Sequence, residues 1–229
     1  MKKHITVAAL LAAGSMFANA DVISLDPAGN GTTGQNAAGI AAEDVWGYDL
    51  NAWHGTWENE HLANQVSFSE GSLSLQIGAA SNGAGNFAAV KFAMDAAGTA
   101  TLTFDYEYAS TWGGTKNLVV NYVCTVYGFT EDGTSVQLAS ETFIDGVTVS
   151  DIVVDQPVNN VSLSFASDAS YAAYGVIFNA NEAEGSNGGV AVSIDNVQVS
   201  YSAIPEPSAF GLLAGLGALA LVASRRRRK

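Results

Sequence analysis

The sequence predicts an all-β fold, an antiparallel β-sandwich wound as a jelly roll. Three observations carry that expectation. Apolar and polar residues alternate with period two from Asp21 to Tyr201, and Gly, Asn, Asp and Ser signals punctuate the alternation at short intervals. No stretch in that span shows the 3.6-residue periodicity of an amphipathic helix. No fixed repeat period is present either, which disfavours a solenoid.

The strands follow in order. Leu73, Leu75 and Ile77 form one after a Glu70-Gly71 turn, and Leu102, Phe104, Tyr106 and Tyr108 alternate with Thr101, Thr103, Asp105 and Glu107 in another. Leu118 to Phe129 is apolar on both parities, as a central strand covered on both faces would be. Glu131-Asp132-Gly133 predicts a hairpin turn into Val136 to Ile144, and Asp145-Gly146 a second turn into Val147 to Val154. Val161, Leu163 and Phe165 alternate with serines, and Tyr174 to Phe178 adds a further strand. The acidic run Asn179 to Gly189 reads as a loop rich in hard oxygen ligands without EF-hand spacing. In the closing strand Val190, Val192 and Ile194 are apolar at even positions, whereas Val197, Val199 and Tyr201 are apolar at odd ones. The parity flips at Asp195-Asn196, as a β-bulge requires. The expected total is nine or ten strands.

Both ends of the chain differ from this domain. Met1-Lys2-Lys3-His4 is a basic start, Ile5 to Phe17 an apolar run and Ala18-Asn19-Ala20 a small-x-small cleavage site, so residues 1–20 read as a signal peptide removed by signal peptidase. Residues 21–203 make the β domain, long enough for one core. Residues 204–229 form a tail: Pro205-Glu206-Pro207 stops the last strand, Ala209 to Ala223 is an uncharged segment for a transmembrane helix, and Arg225, Arg226, Arg227, Arg228 and Lys229 are a membrane stop held on the cytoplasmic side.

The formal net charge of −13 understates how acidic the domain is, because only Lys91 and Lys116 lie between Asp21 and Ala203. Such a domain has no basic patch, which excludes nucleic acid as a partner and disfavours anionic lipid headgroups. Cys124 is the single cysteine, so no intramolecular disulfide or multi-cysteine zinc site forms, and its apolar surroundings predict a buried, inert thiol.

Pro-Glu-Pro, an apolar helix and a terminal Arg cluster, in this order, closely resemble the PEP-CTERM sorting signal of Gram-negative bacteria. The resemblance implies an exported protein, anchored in the inner membrane as a precursor and processed by an exosortase, a cysteine transpeptidase-like membrane enzyme. Its destination would be the cell surface or an extracellular polysaccharide matrix such as a biofilm. Separately, Val192 to Val199 is similar to the closing strand of jelly-roll carbohydrate-binding modules. That similarity implies Asp195 as a ligand of a structural calcium between the first and last strands.

Four tryptophans are candidate glycan-binding groups: Trp46, Trp53 and Trp57 in one aromatic cluster with Tyr48, and Trp112 beside Gly113-Gly114. Exposed rings stack on sugar faces, while the competing reading places the cluster over the core. His54 and His61 enclose Glu58 and Glu60, but their spacing matches no zinc motif. No catalytic set is complete. Asp105-x-Glu107 resembles part of the Glu-x-Asp-x-Glu strand of laminarinase-like glucanases, but Thr103 stands where the first Glu belongs. Neither a Gly-x-Ser-x-Gly elbow nor a phosphate loop is present. The expectation is a non-enzymatic structural, adhesive or glycan-binding surface protein; the alternative is a secreted glycan-active hydrolase.

Overall fold

The computed structural model describes residues 21–27, 31–33, 46–50, 65–78, 86–95, 98–110, 118–148, 157–184 and 189–201. Among them the regular structure is strand alone: β1 (Asp21–Ser24), β2 (Gly31–Thr33), β3 (Trp46–Leu50), β4 (Gln65–Ser69), β5 (Ser72–Gly78), β6 (Asn86–Phe92), β7 (Gly98–Ser110), β8 (Val119–Phe129), β9 (Ser135–Thr148), β10 (Asn159–Ser167), β11 (Ala173–Glu184) and β12 (Gly189–Tyr201). None of the described residues forms a helix long and apolar enough to cross a membrane.

The strands make two six-stranded sheets. The first runs β10-β7-β12-β5-β4 with β1 also on β12, and the second runs β2-β3-β6-β11-β8-β9. Neighbours are antiparallel apart from the short β2–β3 pair. The pairing is nested: β5 lies on β12, β6 on β11, β7 on β10 and β8 on β9. From β5 onward the chain is thus one long antiparallel ribbon folded back at the β8–β9 hairpin and rolled across two sheets, which is jelly-roll winding.

Period-two alternation fills the space between the sheets. Leu73, Leu75, Ile77, Leu102, Phe104, Val192 and Ile194 from the first sheet meet Val90, Phe92, Tyr122, Cys124, Tyr174 and Phe178 from the second. Aromatic edges lock the centre, with Phe104 4.9 Å from Phe178 and 5.2 Å from Phe143 between ring centroids, both edge-on. Tyr122, fully buried on β8, sends its hydroxyl across the core to within 3.0 Å of the Val190 carbonyl and 3.3 Å of the Leu75 carbonyl. Burial pushes that phenol far above its ordinary range, so it stays a neutral donor.

Three expectations change. Asp145-Gly146 does not reverse the chain; β9 runs through it. Gly146 adopts a φ of +61° and donates its N–H to Asn121 Oδ1 at 2.7 Å, beside register shifts against β8. The Asp-Gly pair is therefore an edge bulge, since glycine meets the same left-handed requirement in a bulge as in a turn. The acidic segment after Phe178 is strand as far as Glu184, paired to β8 with a shift between Glu182 and Glu184, rather than loop throughout. β8 is next to the edge rather than central: its even positions are buried, and of its odd ones Thr125 and Phe129 are buried while the rest are half-buried.

By contrast Glu70-Gly71 and Glu131-Asp132-Gly133 do turn the chain, with Gly71 and Gly133 both at φ +84°. Tyr122→Phe removes the bond between the sheets without changing the volume of the packed ring. It is expected to cost about 1 kcal/mol and lower Tm by roughly 2–4 °C, read by thermal unfolding.

Candidate functional site

Two surface regions carry chemistry, one on the outer face of each sheet. On the first sheet the site is built by the bulge in β12. Pairing to β7 shifts between Asp195 and Gln198, and Asn196 takes a φ of +52°, a left-handed conformation that Asn tolerates better than most residues. The extra residue turns Val197 and Val199 inward and leaves the Val197 N–H outside the ladder. The Asp26 carboxylate accepts it at 2.7 Å, while the Val197 carbonyl accepts the Leu25 N–H at 2.7 Å. Opposite, each oxygen of Asp105 accepts one amide, Oδ1 from Asn160 and Oδ2 from Asn196, both at 2.8 Å. These two bonds hold the Asp105 carboxyl below its ordinary value, despite a smaller opposing effect of burial.

Asp195 is the register partner of Asp105 and of Ser72. Calcium takes six to eight oxygens, yet Asp105 and Asp26 are already engaged. Among the described residues no group of three or more His, Cys, Asp or Glu is placed to hold a metal ion. Asp105 is unsuited to act as a general acid, a role that needs a raised pKa. Glu107, two residues along, is exposed on the same face and sits opposite Ser193.

The second region is the outer face of β6, β11 and β8. Ala89, Phe129 and Ala173 are buried there in an apolar cluster separate from the core, with Tyr127 and Ile177 packed against it. In register, Tyr127, Gly175 and Lys91 form one row across the three strands, and Val123, Asn179 and Phe87 another. The small residues form a floor and the larger ones stand at its sides. The Lys91 ammonium lies 5.1 Å from the centroid of Phe129, within cation–π range. Such a surface offers aromatic faces, one cation, and the amides of Asn121, Asn179 and Asn181. Of the signals for this face, the odd-position residues of Val123 to Phe129 were visible in sequence, but only as evidence of burial.

The sequence-based candidates fall unevenly. Trp46 is not an exposed platform. It is only 2% exposed, stacks on Phe178 at 6.0 Å and donates its indole N–H to the Leu25 carbonyl at 2.7 Å. The competing core reading holds for it, because inward alternation on β3 places the ring between the sheets. Trp53, Trp57, Trp112, His54, His61, the 1–20 segment, Pro205-Glu206-Pro207 and Arg225 to Lys229 lie outside the described residues. Cys124 is fully buried, and burial pushes its thiol well above the ordinary range.

Residues 203–228 match the family described as PEP-CTERM protein-sorting motif. No curated protein matches the chain. Solved structures similar to it include the enzymatically active domain of bacteriophage CBA120 tailspike protein 4, with 18% identity over 58% of this chain and 15% of that one at a TM-score of 0.37. Another is a family 29 carbohydrate-binding module, with 10% identity over 82% of this chain and 96% of the other at 0.35. A third is CBM4, with 13% identity over 76% and 98% at 0.40. The chain thus spans a small part of the tailspike protein and nearly all of each module.

A lowered carboxylate pKa stabilises the fold above the unfolded value, about 3.9, and that contribution disappears as pH falls through the lower folded value. Asp105→Asn is therefore expected to lower Tm at pH 7, with the gap to wild type closing as pH falls below the unfolded value and through the lower folded one. A gap that stays constant across this range would separate Asp105 from the effect.

Proposed function

We propose that this chain is an exported surface or matrix protein, sorted by an exosortase, whose sandwich binds glycan without cleaving it. The observation that carries the sorting half is the position of the motif, which begins at residue 203, two residues after β12 ends at Tyr201. Signal peptidase would release the N-terminus at Asp21, the tail would hold the precursor in the inner membrane, and the exosortase would then remove it. The cell surface or an extracellular polysaccharide matrix is the destination that suits this route.

The glycan half draws on the outer face of the second sheet. Tyr127 presents a ring, Lys91 a cation, and Asn179 and Asn181 amides that can bond sugar hydroxyls while the ring stacks on the apolar face. Trp53, Trp57 and Trp112 remain part of the proposal as further stacking groups. Against the hydrolase alternative, through Asp105 and Glu107, stands the hydrogen bonding of Asp105, whose two oxygens each accept an amide N–H and which is thereby held ionised rather than as a general acid.

The full chain on a polysaccharide array is expected to bind without releasing reducing sugar. Tyr127→Ala should weaken that binding by about 2- to 10-fold, from the ~0.5–1.5 kcal/mol of an aromatic contact. Sugar release that Glu107→Gln abolishes would overturn the non-catalytic reading. Replacing Pro205, Glu206 and Pro207 by alanine should leave a membrane-retained precursor on an immunoblot; normal maturation would contradict the sorting assignment. A structural calcium at Asp195 would have to draw its other oxygens from backbone or from beyond the described residues. It predicts a Tm that EDTA lowers in wild type but not in Asp195→Ala, and an unchanged wild-type Tm ends it.

A further inference from the structure

We infer that β1 is a latch that sets the upstream limit of tail processing, so that the mature chain keeps the whole of β12 and ends beyond Tyr201. The inference rests on the reading of residues 203–228 as a processed tail. Its basis is the pairing of the last strand. From Val190 to Asp195, β12 lies between β5 and β7. At Asp195 the β5 partner runs out, and β1 takes its place: Ser24 pairs Gln198, Ile23 pairs Val199, Val22 pairs Ser200 and Asp21 pairs Tyr201. On the other side β7 pairs Gln198 to Ser200. A processing enzyme that takes its substrate as an added extended strand needs an open backbone edge. With β1 in place β12 offers none before Tyr201.

The latch is fastened just past β1. Asp26 and Leu25 hold Val197 through its N–H and its carbonyl, the Leu25 carbonyl accepts the buried Trp46 indole N–H, and the Pro27 carbonyl accepts the Gly71 N–H at 2.9 Å. β1 itself is only four residues and mostly exposed, so its pairing depends on these anchors. Were β1 to leave, residues 198–200 would keep β7 alone, Tyr201 would keep no ladder partner, and the segment would present a free edge. Pro205 lies four residues beyond Tyr201, at most ~14 Å of chain, so the enzyme works against the folded sheet. The bond broken is a peptide bond after Tyr201. Its acyl half passes to the enzyme's thiol and then to water or an amine, and the new amino terminus leaves with the tail.

Intact mass of the matured protein tests this. Wild type is expected to end beyond Tyr201; Asp26→Ala should add ends between Val197 and Tyr201, and Asp26→Asn, which keeps an acceptor oxygen, should restore the wild-type end. A wild-type end upstream of Tyr201, or an Asp26→Ala end identical to wild type, overturns the latch while leaving the sorting reading intact. A wild-type chain that keeps its entire tail overturns the sorting reading instead. Limited proteolysis of that full chain in detergent, with a broad-specificity protease, then decides the latch. Early cuts between Val197 and Tyr201 in wild type refute it, and protection there that Asp26→Ala removes supports it.

Discussion

One hydrogen-bonded bulge reconciles two demands on the last strand. β12 must face its side chains into the core along its whole length, yet it changes partner from β5 to β1 midway. A strand's side chains have period two, so an uninterrupted ladder would turn Val197 and Val199 to solvent. The extra residue at Asp195-Asn196 resets the parity, and both valines are fully buried. The reset costs a left-handed Asn and a Val197 N–H outside the ladder. Asp26 satisfies that N–H, and Asp105 fixes the Asn196 side chain. Bulge, N-terminal strand and the polar pair on the outer face thus form one unit, and the ends of the domain are joined through it.

The same unit shows how an acidic domain uses its carboxylates. Asp26, Asp105, Asp132 and Asp168 all accept hydrogen bonds from amides, hydroxyls or backbone N–H groups rather than from Lys or Arg. With only Lys91 and Lys116 between Asp21 and Ala203, ion pairs are in short supply. Neutral donors hold carboxylates ionised without cations, as the lowered values of Asp105, Asp132 and Asp168 record. Lys91 is correspondingly placed on an aromatic ring.

The two outer faces then divide by chemistry. That of the first sheet is almost entirely hydroxyl, amide and carboxylate, with Thr101, Thr103, Ser162, Ser164, Ser193 and Gln198 in adjoining rows. That of the second carries Tyr127, Ile177, Lys91 and Phe87 around small residues. Both faces alternate with the same core, so the difference lies wholly in the outward parity.

Local chemistry determined a great deal from sequence alone. The fold class, the Gly71 and Gly133 turns, the inert Cys124 and the bulge at Asp195-Asn196 each follow from residue period or backbone preference within a few neighbours. So does the sorting motif, whose Pro-Glu-Pro, apolar run and Arg cluster are contiguous. Asp145-Gly146 misled because a bulge and a hairpin ask the same φ of glycine; only the strand across from it, through Asn121, decides between them. Trp46 was ambiguous because an amphipathic ring suits a core or a surface, and the carbonyl that claims its N–H lies 21 residues away. The tertiary structure alone could bring Asp26 to Val197, 171 residues apart, because that contact depends on how the ribbon closes and on no property of either segment by itself.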